Sequence, residues 1–567
     1  MLALQSDIGL AVYYKELNRV FLKIWLIINF KKGYLSLQRI FILITGAGIC
    51  SCFSAYDKIT YRHEEEMHVS THLEKEFLEY IQTMDAYREA SALIGWDLRT
   101  GAPKKTIDKR SQVISILSKV HFEMATGKQM EEYLEALSDH TDEQGILQDI
   151  VKECRLEFER MSKIPADEYK EYVELQSKAE SVWEEAKEQA NFKLFRPYLE
   201  QLIETNKKFI RYWGKEERPY DALLDMYEPG MAVEVLDDVF GALKDEIVPL
   251  VKRISESKKK LNTDFIYKQF DMESQREFCM STIKELGYDL DAGRLDSTVH
   301  PFATALNAND VRITTKYDES DFRVAVFGTI HECGHAVYEQ NIDKELEGTP
   351  LCTGTSMGIH ESQSLFFENF IGRNKHFWKS HFDKLTKASP EQFDRIDLDT
   401  FYEAINESKP SLIRVESDEL TYALHIMIRY ELEKMIFNGE VSVDELPKLW
   451  NDKYEEYLGI RPEHDGEGIL QDVHWAGGMF GYFPSYALGY MYAAQLKAAM
   501  LKDIPEFDKI LEKGNIETIK DWLTERIHQY GKRKTPREII KSATGEDLNP
   551  QYLIDYLKGK YEAIYEL

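Results

Sequence analysis

From His72 to about residue 290, apolar residues recur every three or four positions, with Glu and Lys between them. That spacing predicts a succession of long amphipathic helices, with residues 179–203 and 233–258 as two examples. The pattern changes over 310–317 (Asp-Val-Arg-Ile-Thr-Thr-Lys-Tyr), where apolar and polar residues alternate and β-branched residues gather, which predicts a strand. Helical periodicity returns over 321–340. Gly477–Gly481, shortly before Pro484, reads as a loop, and the chain is helical again from Ile516. No Pro/Ser/Gly-rich linker and no internal repeat interrupts the pattern after Met67. The expectation is a mainly α fold, one large helical body over 67–567 with a small β element close to the 321–340 helix.

Residues 1–66 do not share this pattern. They carry eight Lys/Arg against six Asp/Glu, a net of +2 that leaves −30 for the remainder, and 40–56 is an uncharged apolar run. A signal-peptide core after Lys31, Lys32 and Arg39 is one reading, with Ile49-Cys50-Ser51-Cys52 resembling a lipoprotein cleavage box. A short membrane anchor is another, at the low end of a spanning length. The favoured reading is translated upstream sequence with the start at Met67, because Glu64-Glu65-Glu66 imply a purine-rich message there. The cytoplasm follows from that reading. Secretion or membrane attachment follows if the extension is retained.

The net charge of −28 over 567 residues disfavours a nucleic-acid partner. Six scattered cysteines (Cys50, Cys52, Cys154, Cys279, Cys333 and Cys352) form no disulfide framework and suit a reducing compartment.

One motif carries chemistry. His331-Glu332-Cys333-Gly334-His335 places two imidazoles at i and i+4, on one helix face, where both can meet one Zn²⁺ while Glu332 lies beside it. The flanking Val324, Ala325, Val326, Phe327, Ile330, Ala336 and Val337 are apolar, so this helix is expected to be buried, and buried histidines and a glutamate need partners. A catalytic metal needs a third protein ligand and an open position. Tyr338 and Asn341 rule out a third histidine at the extended spacing, so the ligand is expected to be a downstream carboxylate. Glu361 is the first choice, at the start of a helical stretch. Glu368 and Glu339 are rivals, although Glu339 lies on the motif helix and is expected to point away.

Several further segments fit one family in order: Trp96-Asp97 with Gly101-Ala102-Pro103, His300-Pro301-Phe302, Asp310-Val311-Arg312-Ile313-Thr314, His360-Glu361-Ser362-Gln363, Ile413-Arg414-Val415-Glu416-Ser417-Asp418, and Gly468-Ile469-Leu470-Gln471-Asp472-Val473-His474-Trp475. With the metal motif they make the chain, from Met67 on, resemble the carboxypeptidase Taq family of metallocarboxypeptidases. The resemblance implies a mostly helical fold with a deep groove, like neurolysin and other gluzincins. It implies a cytosolic homodimer and broad specificity for C-terminal residues of peptides. One divalent metal is implied, zinc first, with cobalt or manganese able to replace it. The extension at 1–66 lies outside the family pattern.

The resemblance also implies roles. His331, His335 and Glu361 hold the metal, and Glu332 is the general base. Arg414 receives the substrate α-carboxylate, unless Glu416 or Asp418 occupies it. Arg312 is its rival and is expected instead to brace the strand. His474 and a tyrosine near 482–486, Tyr486 in particular, are candidates for oxyanion donors, with His300 close by, and Asp472 is expected to orient a histidine. An endo-oligopeptidase with the same metal site, or a non-catalytic peptide-binding protein, is the alternative.

Overall fold

The structure is a computed structural model that describes residues 49–138 and 145–567, with side chains from His72 onward. It divides into two units, Met1–Glu76 and Phe77–Leu567. Of the first, helix α1 (Ile49–Thr100) is described from Ile49, with side chains only from His72. The expectations for residues 1–48 lie outside the described residues. Among the described residues no helix is long and apolar enough to cross a membrane.

The second unit is mainly α-helical, as its periodicity predicts. Helices α2 (Ala166–Glu188) and α3 (Phe192–Trp213) pack side by side. The single helix expected over 179–203 is therefore broken. Ala190 takes a positive φ of 50° and the Asn191 side chain accepts from Lys193 N at 3.2 Å, capping α3 and starting a new axis. The apolar stripe runs through this break, so spacing alone does not reveal it. Helix α4 (Val233–Ser255) forms as expected, and α5 (Met272–Glu285) follows.

A three-stranded sheet comes next: β1 (Leu295–Ser297), β2 (Ala303–Asn307) and β3 (Asp310–Thr315), in the order β1-β3-β2. β1 runs parallel to β3, and β2 pairs antiparallel with it. The strand expected over 310–317 is the central one. Helix α6 (Phe322–Gln340) follows, capped by the Asp321 carboxylate, which accepts from Arg323 N. It rests on the sheet, where Thr315 Oγ1 donates to Ala325 O at 3.3 Å and Thr329 Oγ1 lies 2.9 Å from Thr315 Oγ1.

Helix α7 (Met357–Leu365) begins four residues before Glu361, because the Ser356 side chain caps it by accepting from Ile359 N at 3.0 Å. Glu361 therefore sits inside the helix and not at its start. α7 continues into a π-helical segment, Phe366–Gly372, a widened turn of the kind often found at functional sites. Four later helices matter below: α8 (Lys375–Ala388), α9 (Tyr422–Phe437), α10 (Pro484–Asp503) and α11 (Gln551–Tyr565). Tyr490, Met491, Tyr492, Ala493 and Ala494 of α10 are consecutive and all buried, so this helix is hydrophobic all round and runs through the core. α7 lies against α6 on one side and α10 on another.

Both approaches are made possible by glycine. A Cβ at Gly334 of α6 would lie 2.4 Å from Gln363 O of α7, and one at Gly489 of α10 would lie 2.7 Å from Glu361 Cβ. Only the absence of a side chain lets the backbones come so close.

Candidate metal centre

Helix α6 presents His331 and His335 one turn apart, and α7 brings Glu361 against them. Glu361 Oε2 lies 3.8 Å from His331 Nε2 and 3.4 Å from His335 Nε2, and the three ligand atoms all lie within 4.8 Å of one another. Glu361 is buried, while the two imidazole side chains retain 22% and 15% of their exposure. The cluster is thus within reach of solvent.

The back nitrogen of each imidazole is engaged. His331 Nδ1 lies 2.9 Å from Glu368 Oε2, and Arg373 Nη2 donates to the other oxygen of that carboxylate, also at 2.9 Å. His335 Nδ1 lies 2.5 Å from His360 Nδ1, whose Nε2 lies 2.8 Å from Glu339 Oε1. Glu339 also accepts from Thr353 Oγ1 and Gly354 N. A carboxylate can only accept, so His360 Nε2 and His331 Nδ1 carry the protons. The two facing Nδ1 atoms of His335 and His360 share one proton between them, one donating to the other. A metal bound here would take the Nε2 lone pair of each imidazole, the arrangement by which carboxylates fix ligating histidines from behind.

The charges agree with a cation at this point. Burial alone would lower His331, but Glu361, Glu368 and Glu332 around it raise it to about 10. Burial lowers His335 to about 4, with His360 and His331 adding to the fall. Burial would raise Glu361, yet the two histidines bring it down to about 2. Burial raises Glu332 to about 7, against the pull of His331. Two partly exposed imidazoles and a carboxylate, with three carboxylates attracting positive charge, are a donor set suited to zinc.

The rivals for the third ligand are thus engaged behind the imidazoles, Glu368 against His331 and Glu339 against His360. The Cys333 thiol is buried against Ile283 O, pointing into the core. Tyr422 of α9, which sequence reasoning missed, donates to Glu361 Oε1 at 3.3 Å. No local spacing announces that contact, because 61 residues separate the two.

A second cluster adjoins this one through Tyr422, whose ring meets that of Tyr486 edge-on at 6.5 Å. His474 Nε2 lies 3.1 Å from Tyr486 Oη. Burial and the nearby Arg414 push His474 down to about 3, so it is a neutral imidazole. Arg414 is buried. Its Nε donates to Asp472 Oδ1 at 2.9 Å and its guanidinium carbon lies 4.9 Å from the Tyr486 ring centre. No hydrogen bond engages Arg414 Nη1 among the described residues.

Three expectations change here. Arg414 pairs with Asp472, not with Glu416 or Asp418. Asp472 orients no histidine and instead joins Arg414 to Arg429, whose Nη2 lies 2.6 Å from Oδ2. His300 is exposed in the connection between β1 and β2, and none of the described contacts joins it to the metal ligands. Arg312 makes a two-pronged pair with Asp310 on its own strand, both bonds 2.7 Å. Its guanidinium faces the Trp96 ring at 5.7 Å, and the same ring meets Phe302 edge-on at 5.3 Å. The Trp96, Phe302 and Arg312 motifs therefore meet as one structural cluster beside the sheet.

Residues 76–561 match the family model described as Carboxypeptidase Taq (M32) metallopeptidase. Carboxypeptidase 1 of Bacillus subtilis (strain 168) is 61% identical over 497 residues, spanning 87% of this chain and 99% of its own. Thermostable carboxypeptidase 1 of Thermus thermophilus is 40% identical, over 84% of this chain and 95% of its own. The crystal structure of an M32 carboxypeptidase from Deinococcus radiodurans R1 superposes with a TM-score of 0.85 at 35% identity, over 87% of this chain and 99% of that one. The chain belongs to the Carboxypeptidase Taq (M32) metallopeptidase family, and it is a metallocarboxypeptidase, a peptide hydrolase that uses a divalent metal.

Proposed function

We propose that this enzyme removes single amino acids from the free C-termini of peptides, with broad tolerance of the residue released, and that its metal is zinc. The observation that carries the reading is the convergence of His331 Nε2, His335 Nε2 and Glu361 Oε2, with both back nitrogens held. A zinc ion held there would supply Lewis acidity, acidifying a water and polarising the scissile carbonyl.

Glu332 takes the proton from the attacking water and returns it to the departing amine. An affinity raised to about 7 suits a group that must do both near neutrality. Tyr486, steadied by His474, donates to the oxygen that gains charge as the carbonyl is attacked. Tyr422 holds Glu361 in place. Arg414 recognises the substrate carboxylate: Asp472 fixes its plane while Nη1 keeps a free donor.

A homodimer is carried over from the family resemblance. A reducing cytosol suits Cys154, Cys279, Cys333 and Cys352, which are free among the described residues. The decisive assay compares one peptide with its C-terminal amide, with and without chelator, by mass spectrometry. The expected result is a ladder of single-residue losses from the free acid, little from the amide, and none with chelator. Equal cleavage of the amide, or internal cuts, would establish an endo-oligopeptidase instead. Arg414→Met should raise KM for the free acid more than it lowers kcat.

A further inference from the structure

A cavity of about 460 Å³ lies apart from the metal ligands, where the π-helical turn at Phe366–Gly372 meets α8, α10 and α11. Its wall includes Arg373, Lys375, Lys497 and Lys560, on a chain whose net charge is −28. Three of these cations have carboxylate partners: Arg373 has Glu368, Lys375 has Asp399 and Lys560 has Glu419. Lys497 has none. It makes no hydrogen bond or ion pair among the described residues, and its ammonium instead faces the rings of Phe370, Phe507 and Tyr556 at 5.1, 5.3 and 5.5 Å. Arg373 Nε is also buried without a partner.

The two acids on the wall are turned to other groups. Asp508 accepts from Asn374 and Asp555 from Gln551. The crowding of positive charge is felt at Lys560. Burial lowers it to about 8 in spite of Glu419, and Arg373 and Lys497 both add to the fall. Lys497 is lowered too, first by burial, against the nearby charges of Asp508 and Glu419. Cations gathered around an open space, with the Lys497 ammonium and Arg373 Nε unspent as donors, favour a further anion between them.

We infer that this cavity binds a small oxyanion, a carboxylate or a phosphate, with Lys497 as its principal contact. The inference is independent of the peptidase reading. Titration calorimetry on the metal-loaded, full-length enzyme, at constant ionic strength, uses inorganic phosphate in one arm and acetate in the other. Saturable binding of either supports the site and identifies the anion.

Lys497→Met should weaken that binding at least tenfold, while Lys497→Arg should stay within about threefold. Gly559→Glu supplies an independent variant. Gly559 lies on the wall inside α11, and a Cβ there meets nothing within 4 Å. Its new carboxylate should displace the anion and also cut affinity at least tenfold. No binding of either anion, or binding unchanged by both Lys497→Met and Gly559→Glu, overturns the inference. Peptide hydrolysis assayed on the same samples keeps failure here separate from failure of the peptidase reading.

Discussion

Gly334→Ala tests whether the metal site is built by backbone approach. Gly334 immediately precedes His335, and its missing side chain faces α7. An added Cβ would lie 2.4 Å from Gln363 O, 2.7 Å from Ser364 Cα and 2.9 Å from Gln363 C. All three are backbone atoms, so no rotamer change relieves the contact. Ordinary contact begins at 3.4 Å, so α7 would have to retreat by about 1 Å. Glu361 lies two residues before Gln363 on that helix and would move with it. The retreat is opposed, because Gly489 of α10 already lies against Glu361.

The expected cost is about 1–3 kcal/mol of stability, the usual range for overpacking. Protein metal sites tolerate only about 0.2 Å of error in ligand distance. A displacement of about 1 Å should therefore remove most of what Glu361 contributes, on the order of 100-fold in metal affinity. The assay is competition for Zn²⁺ with a chromophoric chelator, beside thermal unfolding followed by circular dichroism. Gly328→Ala is the control on the same helix. A Cβ there meets nothing within 4 Å, so the change should be neutral or stabilising by roughly 0.4–1 kcal/mol. If Gly334→Ala binds zinc within threefold of wild type, the close approach of α6 and α7 does not set the site.

Glu332→Gln should leave zinc affinity nearly unchanged while lowering kcat by about 10²–10⁴, since it removes a general base and no ligand; unchanged turnover would refute its role. Glu339→Gln keeps an acceptor for His360 but removes its charge, and should weaken zinc binding roughly tenfold with kcat of the fully loaded enzyme nearly preserved. Equal affinity by chelator competition would show that the His360 relay does not support His335. Glu228 concerns stability. It is buried, accepts from Gly358 N and Tyr492 Oη, and burial raises it from 4.5 to about 7. Its contribution is fully present below pH 4.5 and is lost as pH rises through about 7, a change of ~3 kcal/mol. Glu228→Gln should flatten that decline in urea unfolding between pH 4.5 and 7, and parallel curves for the two proteins would rule the contribution out.

How much of this was legible in the sequence depends on how far apart the partners lie along the chain. The pair at 331 and 335 could be read because a helix converts a spacing of four into adjacency, and the strand at 310–315 because alternation marks it. Glu361 followed from elimination and from resemblance. What remained hidden arises from chain paths. Asp472 pairs with Arg414 and Arg429, 58 and 43 residues away, through a loop that has no periodicity. The break before α3 turns on one left-handed alanine inside an unbroken apolar stripe. Glu339 is expected from its place on the motif helix to point away from the metal, but its contact with His360 needs α6 and the turn before α7 to fold together.

The two candidate ligand histidines show the same limit within one motif. They are one turn apart on one face, and spacing treats them as equivalent. The fold does not. His331 is backed directly by a carboxylate and lies among three of them, so it is held near 10. His335 is backed by another imidazole, with the carboxylate one ring further away, and burial holds it near 4. A proton therefore competes with a cation for His331 far more strongly than for His335. The difference comes from Glu368, brought across by the π-helical turn after α7, and from His360, placed beside Glu361 on α7 itself. The identity of the ligands is local and the basicity of each is not, because electrostatic environment is set by whatever packs behind a side chain, whatever its distance along the chain.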